Sequence, residues 1–327
     1  MKMPALGILR HALTATALLG TIGTAAAEAP FPSRPITIVV GYAAGGQADA
    51  IARAVATRLS EQLKNPVIVD NKPGGNAMIA AGDVAKAEPD GHTLLFVTDA
   101  MTTIEPQLTG PKKVDVTASF DPIINMAFGP LILAAANNVP VKSLSELVEY
   151  GKKNPETLNF GTSGNTTPHR ITGELLQQEA GFKMTHVAYK GTSASVTDLA
   201  GGHIELVIGA ASALKPLADA GKIKLLAVTS EQRLPVLPNV PAIAETYKGF
   251  NMVTFLGLMA PKGTPQDVIT LLNREIDQIL ADPAERASLE QQGMLVADGS
   301  PIDFAKQIGA DYEARGAIIR ELRLSAD

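Results

Sequence analysis

A pair of glycines, Gly45 and Gly46, separates an apolar stretch from a helix-like pattern in the segment ITIVVGYAAGGQADAIARAVATRLSEQL. Glycine lets a ligand approach the backbone closely, and a loop that leads into a helix presents unpaired N–H groups with a partial positive charge. Such a loop can hold a nucleotide phosphate, the oxyanion of a reaction intermediate, or a carboxylate that is bound and released unchanged. A tight turn without any ligand would use the same residues.

The residues after the glycine pair disfavour a nucleotide. The phosphate loop of nucleotide hydrolases needs a lysine and a serine or threonine after its glycines, whereas Gln47, Ala48 and Asp49 follow here. The carboxylate of Asp49 has the wrong charge for a phosphate. The stretch GYAAGG also fails to match the G-x-G-x-x-G fingerprint of dinucleotide-binding folds.

Ser163, in the stretch GTSGN, is the candidate nucleophile. The hydrolase motif is G-x-S-x-G, and Asn165 replaces its second glycine. Outside the first 27 residues, histidines stand at positions 92, 169, 186 and 203, but the sequence couples none of them to Ser163. No two of these histidines have the spacing of helical metal ligands, and cysteine is absent. Catalysis and metal binding are therefore disfavoured, and no cofactor is predicted.

Carboxylate capture is favoured because the same loop pattern recurs. Two further loops, 162–167 and 190–193, also connect a strand pattern to a helix pattern. Charge-assisted hydrogen bonds contribute roughly 1.5–3 kcal/mol each, so about five or six of them are enough for micromolar binding after ordering costs. Loops that face each other could hold a dicarboxylate at both ends, and no catalytic residue is needed to explain them.

Strand and helix patterns alternate along the chain, which predicts an α/β fold with parallel sheets covered on both faces. Strands are predicted at 36–40, 67–69, 94–97 and 131–135, and in the stretches LNF, THVAYK, IELVIGA and KIKLLAVTS. One helix follows the first strand and another spans about 79–87. Capping residues predict helix starts at Ser143, Thr167, Thr264 and Ser300.

The first 27 residues have the features of a cleaved signal peptide. Lys2 and Arg10 precede an apolar stretch, and three alanines, 25–27, supply the small residues of a cleavage site. The apolar stretch is too short for a spanning helix, so no stable membrane insertion is expected after cleavage. These features predict an exported protein.

The composition of the mature chain excludes several classes of protein. Cleavage leaves 26 basic against 33 acidic residues, a net charge of −7, so a general attraction for nucleic acid or anionic membranes is not expected. The absence of cysteine excludes disulfides and thiolate metal sites. About 300 residues exceed what one hydrophobic core normally serves, which predicts two lobes.

The chain resembles the Bug-type periplasmic receptors of tripartite tricarboxylate transporters over nearly all of its mature length. The matching stretches are FPSRPITIVV with GGQADAIAR, VDNKPGG with AKAEPDGHTLL, VPVKSLSELVEYGKKNP, NFGTSGNTTP, AYKGTSASVTDLAGGHIEL, LLAVTSEQRLPVLPNVPAIAE and GLMAPKGTP. The resemblance implies a type II periplasmic-binding-protein fold, in which two lobes close over a ligand like a flytrap. Lobe 1 would comprise residues 28–129 and 251–327, and lobe 2 residues 130–250.

The resemblance also implies capture of a small organic acid and its delivery to membrane transporter subunits. In the family, the loop after the first strand holds a carboxylate, partly through ordered water, which carries over here to residues 42–46 and Asp49. With the other two loops and the end of the third strand, the predicted ligand-binding residues are Tyr42, Ala43, Ala44, Gly45, Gly46, Asp49, Thr98, Asp99, Thr162, Ser163, Asn165, Thr166, Thr167, Arg170, Tyr189, Lys190 and Gly191.

Several departures from the family bear on the ligand. Gly41-Tyr42 replaces Pro-Phe, which would bring a phenol to the cleft, and residues 76–78 partly replace a glycine-rich segment. Thr98-Asp99-Ala100 replaces Thr-Ser-Ser, and an Asp99 in the cleft would favour an amine or hydroxyl. Arg170 stands where a histidine is common, and in the cleft it would favour a second carboxylate.

Two alternatives stay open on the sequence. A hydrolase or isomerase would use Ser163 or Asp49 in the same cleft. A ligand-sensing receptor for a signalling partner would use the same closure as a transport receptor. The small number of aromatic residues slightly favours small aliphatic acids as ligands.

Overall fold

A computed structural model describes residues 30–110 and 114–326. The predicted signal peptide, residues 1–27, lies outside this described part. Within that part, none of the helices combines the length and apolar character that crossing a membrane requires.

Strands and helices alternate through most of the described chain. The strands are β1 (Ile36–Val40), β2 (Val67–Asn71), β3 (Thr93–Thr98), β4 (Phe120–Ala136), β5 (Asn159–Thr162), β6 (Thr185–Ala188), β7 (Leu206–Ala210), β8 (Ile223–Val228), β9 (Val253–Pro261) and β10 (Leu295–Val296). The α-helices are α1 (Gln47–Leu63), α2 (Met78–Val84), α3 (Glu105–Thr109), α4 (Val116–Ser119), α5 (Leu144–Lys153), α6 (Pro168–Ala180), α7 (Thr192–Gly201), α8 (Ala211–Asp219), α9 (Gln266–Ala281), α10 (Pro283–Gln291) and α11 (Pro301–Glu321). Short 3₁₀ turns cover Gly75–Ala77 and Ile243–Glu245, and a π-helix covers Ala100–Ile104.

Strand β4 is shared between two sheets. In the first sheet, β1 pairs in parallel with β2 and β3, β3 pairs antiparallel with β9, and β9 pairs antiparallel with the first part of β4. In the second sheet, the later part of β4 pairs antiparallel with β7 and β8, while β5 lies parallel between β7 and β6. The partner of β4 changes between Pro130, which pairs with Val253 of β9, and Leu131, which pairs with Ala210 of β7.

The expectation of parallel sheets is correct for the strands joined by crossover helices and wrong for β4 and β9. These two strands carry the chain between the sheets in opposite directions, so they lie antiparallel to each other. The fold is nevertheless α/β, with sheets that are mixed.

Strands β1 and β3 of the first sheet are buried on both faces, as their apolar sequences predict. Along β1, Ile36, Ile38 and Val40 point into a core formed with α1 and α9, whereas Val39 points into a second core formed with α2 and α11. A third core packs around the second sheet. Residues from Phe31 onward form one compact unit.

Three of the four predicted helix caps are confirmed. The hydroxyl groups of Ser143, Thr167 and Ser300 each accept a hydrogen bond from the backbone N–H three residues later. The prediction for Thr264 is wrong. Helix α9 begins one residue later, after Pro265, and the Thr264 hydroxyl instead donates to a backbone carbonyl three residues back, at 2.8 Å.

Candidate functional site

The loop between β1 and α1 presents its backbone to solvent. Residues 43–46 are exposed, and Gly46 precedes α1 in an extended conformation, so no side chain caps the first N–H groups of the helix. Helix geometry leaves these first-turn N–H groups without partners inside the helix. Gly45 has a φ of 82°, in the left-handed region where glycine is favoured. The loop therefore has the backbone donors and the close approach that the sequence predicts.

Asp49 fastens this loop from the first turn of α1. The side chain is 4% exposed, and its Oδ2 atom accepts hydrogen bonds from Gly45 N at 2.8 Å and Arg53 Nε at 3.0 Å. The Arg53 guanidinium is the main reason that the pKa of Asp49 falls to about 2, against a smaller opposing effect of burial. Asp49 is therefore ionised and paired, and it accepts the hydrogen bond that the Gly45 N–H donates.

Arg53 and Asn71 stabilise the loop through hydrogen bonds, and neither residue was among those predicted from the sequence. Arg53 Nη2 donates to Asn71 Oδ1 at 2.8 Å, and Asn71 Nδ2 donates to the backbone carbonyl of Tyr42 at 3.1 Å. The i, i+4 spacing of Asp49 and Arg53 was the available signal for the first contact. No sequence signal connects Asn71 to Tyr42.

The phenol of Tyr42 is engaged by the protein. Its oxygen lies 2.7 Å from Thr98 Oγ1, at the end of β3. Burial raises the pKa of Tyr42 to about 12, the bond to Thr98 opposes that rise, and the charge of Asp99 adds to it. The phenol therefore joins the ends of β1 and β3.

Asp99 lies behind this contact and is 1% exposed. Within residues 30–110 and 114–326, neither of its carboxylate oxygens has a hydrogen bond of normal geometry. Burial raises the pKa of Asp99 to about 7, although the charge of Arg315 acts in the opposite direction. The Asp99 side chain is therefore almost inaccessible to a ligand.

In the second loop, Ser163 lies beside a histidine. Its Oγ atom is 3.2 Å from Nδ1 of His169, in the first turn of α6, and burial lowers the pKa of His169 to about 4. No carboxylate in the described part of the chain hydrogen-bonds to His169, so the pair lacks the third group that orients the histidine in hydrolases. The neighbouring Thr162 hydroxyl lies 2.7 Å from Nε2 of His186.

Arg170 binds backbone carbonyl groups. Its Nη1 atom donates to Asn165 O at 3.3 Å and to Ser325 O at 2.7 Å, so the guanidinium ties the loop to the segment after α11. Thr167 caps α6 through the N–H of Arg170. Both residues stabilise the second loop where it joins α6.

The third loop repeats features of the first. Gly191, with a φ of 103°, precedes α7 and provides no capping side chain, and Lys190 is exposed. The Tyr189 hydroxyl donates to Asp198 Oδ2 at 2.8 Å, and burial together with Asp198 raises the pKa of Tyr189 to about 12. The backbone donors and Lys190 are therefore the groups that this loop offers to solvent.

A contact between the sheets lies next to the second loop. Asn76 Nδ2, in the loop between β2 and α2, donates to Thr166 Oγ1 at 2.6 Å. A cavity of about 600 Å³ opens beside this contact and is lined by Gly75, Asn76, Met78, Glu105, Thr109, Asn165, Thr166 and Ala326. The structure thus brings the predicted Asn165 and Thr166 against residues 75–78 and helix α3, none of which was among the predicted ligand-binding residues.

Nowhere in residues 30–110 and 114–326 do three histidine, aspartate or glutamate side chains come together as a group that could hold a metal ion.

Comparison with known proteins identifies the family. The model of the tripartite tricarboxylate transporter family receptor matches residues 51–324. The chain belongs to this receptor family. One relative, a UPF0065 protein of Bordetella bronchiseptica, is 36% identical over 302 residues, which are 92% of this chain and 90% of the relative.

Solved structures show the architecture. The R. palustris protein Rpa4515 with adipate superposes with a TM-score of 0.85 at 31% identity, over 90% of this chain and 99% of that one. The periplasmic binding protein BugD superposes with a TM-score of 0.80 at 30% identity, over 90% and 99% of the two chains. The predicted Bug-type receptor with two lobes is confirmed, and a periplasmic location is supported.

These relatives also decide between receptor and enzyme. The family and its solved neighbours are periplasmic solute-binding receptors, so the hydrolase or isomerase alternative is wrong. The contact between Ser163 and His169 is accordingly found in a solute-binding receptor rather than in an enzyme.

Proposed function

We propose that this receptor captures a small aliphatic dicarboxylate between its two lobes and delivers it to the membrane subunits of a tripartite tricarboxylate-type transporter. The observation that carries the proposal is the exposed loop 43–46, which leads into the uncapped N-terminus of α1. A relative of the same fold binds adipate, which supports the dicarboxylate class.

One carboxylate of the ligand binds the backbone N–H groups of residues 46–48, in part through ordered water. Asp49 does not oppose this binding strongly, because Arg53 compensates its charge. The other end of the ligand is held by the loops 162–167 and 189–191, where Gly191 leaves a second helix start uncapped. Asp99 and Arg170 make their contacts inside the protein.

We place the lobe boundaries at the positions where the chain passes between the sheets. Residues 28–129 and 251–327 form lobe 1, and residues 130–250 form lobe 2. The change of strand partner at Leu131 supports the first boundary. The second is supported by Thr229, whose hydroxyl accepts from Leu131 N at 2.8 Å and donates to Met252 O at 2.6 Å, which ties the two crossings together.

We infer that residues 1–27 direct export and are removed, so that the mature receptor begins at Glu28 and works in the periplasm. The charged start, apolar stretch and small residues at 25–27 support this inference. N-terminal sequencing of the protein recovered from the periplasm tests it.

The binding proposal is tested by titrating the mature receptor with C4 to C6 dicarboxylates in a calorimeter, after a thermal-shift screen. A ligand at 100 times its Kd stabilises the folded state by about 2.7 kcal/mol, which raises the unfolding midpoint by several degrees. A screen in which no carboxylate shifts the midpoint of folded, ligand-free protein contradicts the proposal.

Gly46→Val tests the loop itself. Gly46 has φ −81° and ψ 173°, so a side chain fits its backbone conformation and lies across the loop donors, whereas Gly45 with φ 82° would be strained by any side chain. We expect at least about a tenfold loss of affinity with little loss of stability. Gly309→Val, at a site on α11 with open space around it, is the matched control and keeps wild-type affinity.

A further inference from the structure

The amide of Asn76 makes two hydrogen bonds at the same time. Asn76 Nδ2 donates to Glu105 Oε2 at 3.0 Å and to Thr166 Oγ1 at 2.6 Å. A side-chain amide has two N–H hydrogens, so both bonds can be formed together. Glu105 is 4% exposed and Thr166 is 6% exposed, so both acceptors are shielded from water in this conformation. We call these three residues the Asn76 clasp.

The two acceptors lie in segments that follow strands of different sheets. Glu105 begins α3, which follows β3 of the first sheet, and Thr166 lies between β5 of the second sheet and α6. The bond from Asn76 to Thr166 therefore joins the parts of the chain that we assign to lobe 1 and lobe 2. It can form only while these loops are together.

The backbone at the clasp is strained. Asn76 has φ 52° and ψ 44°, and the next residue, Ala77, has φ 67°, so two consecutive residues other than glycine occupy the left-handed region. Asparagine tolerates this region, whereas alanine is disfavoured there. Strain of this kind persists where the surrounding structure enforces it, and it is concentrated at ligand clamps and switch regions.

The residue that follows Asn76 packs against the start of the ligand loop. A Cβ atom built on Gly41 would lie 2.2 Å from Cβ of Ala77, so Ala77 packs directly on the Gly41 backbone and leaves no space for a side chain at position 41. Gly41 directly precedes the loop residues 42–46. The position of Asn76 is therefore fixed relative to the backbone donors that we assign to the ligand.

From this geometry we propose that Asn76 is a positioning residue that holds the closed receptor together and sets ligand affinity through Thr166. This inference rests on the proposed function. In the open receptor, water replaces the bond between Asn76 and Thr166, and in the closed receptor the bond adds to the contacts that the ligand makes with both lobes. Loss of one such neutral bond reduces the closed-to-open ratio about five- to tenfold.

The experiment measures closure directly. The chain contains no cysteine, so Lys86→Cys and Glu179→Cys, two exposed sites on the α2 and α6 sides of the molecule, accept a pair of distance-reporting labels without background. Distances are recorded in wild type, Asn76→Gly and Thr166→Val, without ligand and with saturating adipate. Calorimetry gives the Kd for adipate in the same proteins.

Asn76→Gly removes the amide and relieves the strained backbone, so it is not expected to lower the unfolding midpoint. Glu156→Gly is its matched control, since Glu156 is exposed and also has a positive φ, of 63°. We expect Asn76→Gly and Thr166→Val each to raise the Kd about five- to tenfold and to reduce the closed fraction, while the control changes neither. The double variant is expected to bind no more weakly than the weaker single variant, since both changes remove the same bond.

Two results would overturn the inference. One is an unchanged closed fraction and Kd in Asn76→Gly, and the other is a single distance in every protein with and without adipate. Failure of the proposed function looks different, since wild type would then bind none of the dicarboxylates. In that case a smaller closed fraction of ligand-free Asn76→Gly still supports the clasp, and an unchanged one overturns it.

Discussion

Replacement of Asp99 by asparagine is expected to stabilise the receptor in a pH-dependent way. The carboxyl group is 1% exposed and lacks a hydrogen bond of normal geometry to any other described residue. Burial is the main reason that its pKa rises from 3.8 to about 7, and the nearby charge of Asp311 adds to the rise while Arg315 opposes it. Asparagine has nearly the same shape without the charge.

The size of the effect follows from linkage between proton binding and folding. The folded pKa of Asp99 is raised above the unfolded value, so the folded state binds more protons between about pH 4 and pH 7, and stability falls as pH rises through that window. Each unit of pKa difference corresponds to about 1.4 kcal/mol, so the ionised group costs the folded state about 4 kcal/mol at pH 8 and about 2 kcal/mol at pH 5. Asp99→Asn removes this cost.

Urea denaturation of wild type and Asp99→Asn at several values between pH 5 and pH 8 measures the difference. We expect the variant to be more stable throughout, with an advantage that grows by about 2–3 kcal/mol from the lowest to the highest pH and with equal m values. Asp298→Asn, at an exposed aspartate, is the matched control and shows no such growth.

The opposite result has a clear physical meaning. Arg315 is 6% exposed, and its Nη2 donates to Val253 O at 3.0 Å at the start of β9. If Asp99→Asn is less stable at every pH, the attraction between Asp99 and Arg315 outweighs the cost of burying the carboxylate. A pH-independent difference of either sign refutes the reasoning.

Three further variants test the support of the site and the core. Arg53→Ala is expected to weaken adipate binding several-fold because Asp49 loses its partner, and an unchanged Kd by calorimetry would contradict the role given to Arg53. Thr229→Val removes two buried hydrogen bonds where the two chain crossings meet, with an expected loss of about 1–3 kcal/mol in urea denaturation; a loss below about 0.5 kcal/mol would count against this contact. Gly173→Ala places a Cβ atom 2.3 Å from a ring carbon of Phe160, so we expect it to lower the free energy of unfolding by about 1–3 kcal/mol. Wild-type stability of this variant would instead show that the ring of Phe160 can move aside.

Local patterns predicted much of the fold. The capping residues Ser143, Thr167 and Ser300 start the helices that they predict, since a cap depends on residues within one turn. The apolar strand β1 and the amphipathic helix α1 were also clear, because burial on both faces of a strand leaves a continuous apolar run and burial on one face of a helix leaves a periodic pattern.

Strands β4 and β9 were recognised only in part or not at all. Residues 120–130 of β4 contain Pro122, Gly129 and Pro130, which argue against a strand, and the register with β9 shifts after Pro122, where a bulge accommodates the proline. The antiparallel direction of β9 follows from the return of the chain between the sheets. The apolar periodicity of a segment carries no information about where the chain returns from one sheet to the other.

The loops of the site were predicted, but their internal contacts were not. The order of strand, small-residue loop and helix identified the loops, because it depends on neighbouring residues. The contacts of Asn71 with Tyr42 and of Asn76 with Thr166 join residues 29 and 90 positions apart, so only the folded sheets bring them together. The left-handed backbone at Asn76 was equally hidden, since residues other than glycine rarely adopt it.

The charged residues that were expected to select the ligand are used inside the protein. Asp99 is buried, and the guanidinium of Arg170 is bound to Asn165 O and Ser325 O. A contact between Arg170 and the ligand would have to replace the hydrogen bonds that Arg170 now makes to these carbonyls, so its net gain is small. We therefore expect selectivity among dicarboxylates to follow from the length and shape of the space beside Thr166, so that Arg170→Lys shifts the Kd of C4 and C6 acids by the same factor. Calorimetry with both acids measures this, and a loss confined to one chain length would show that Arg170 contacts the ligand.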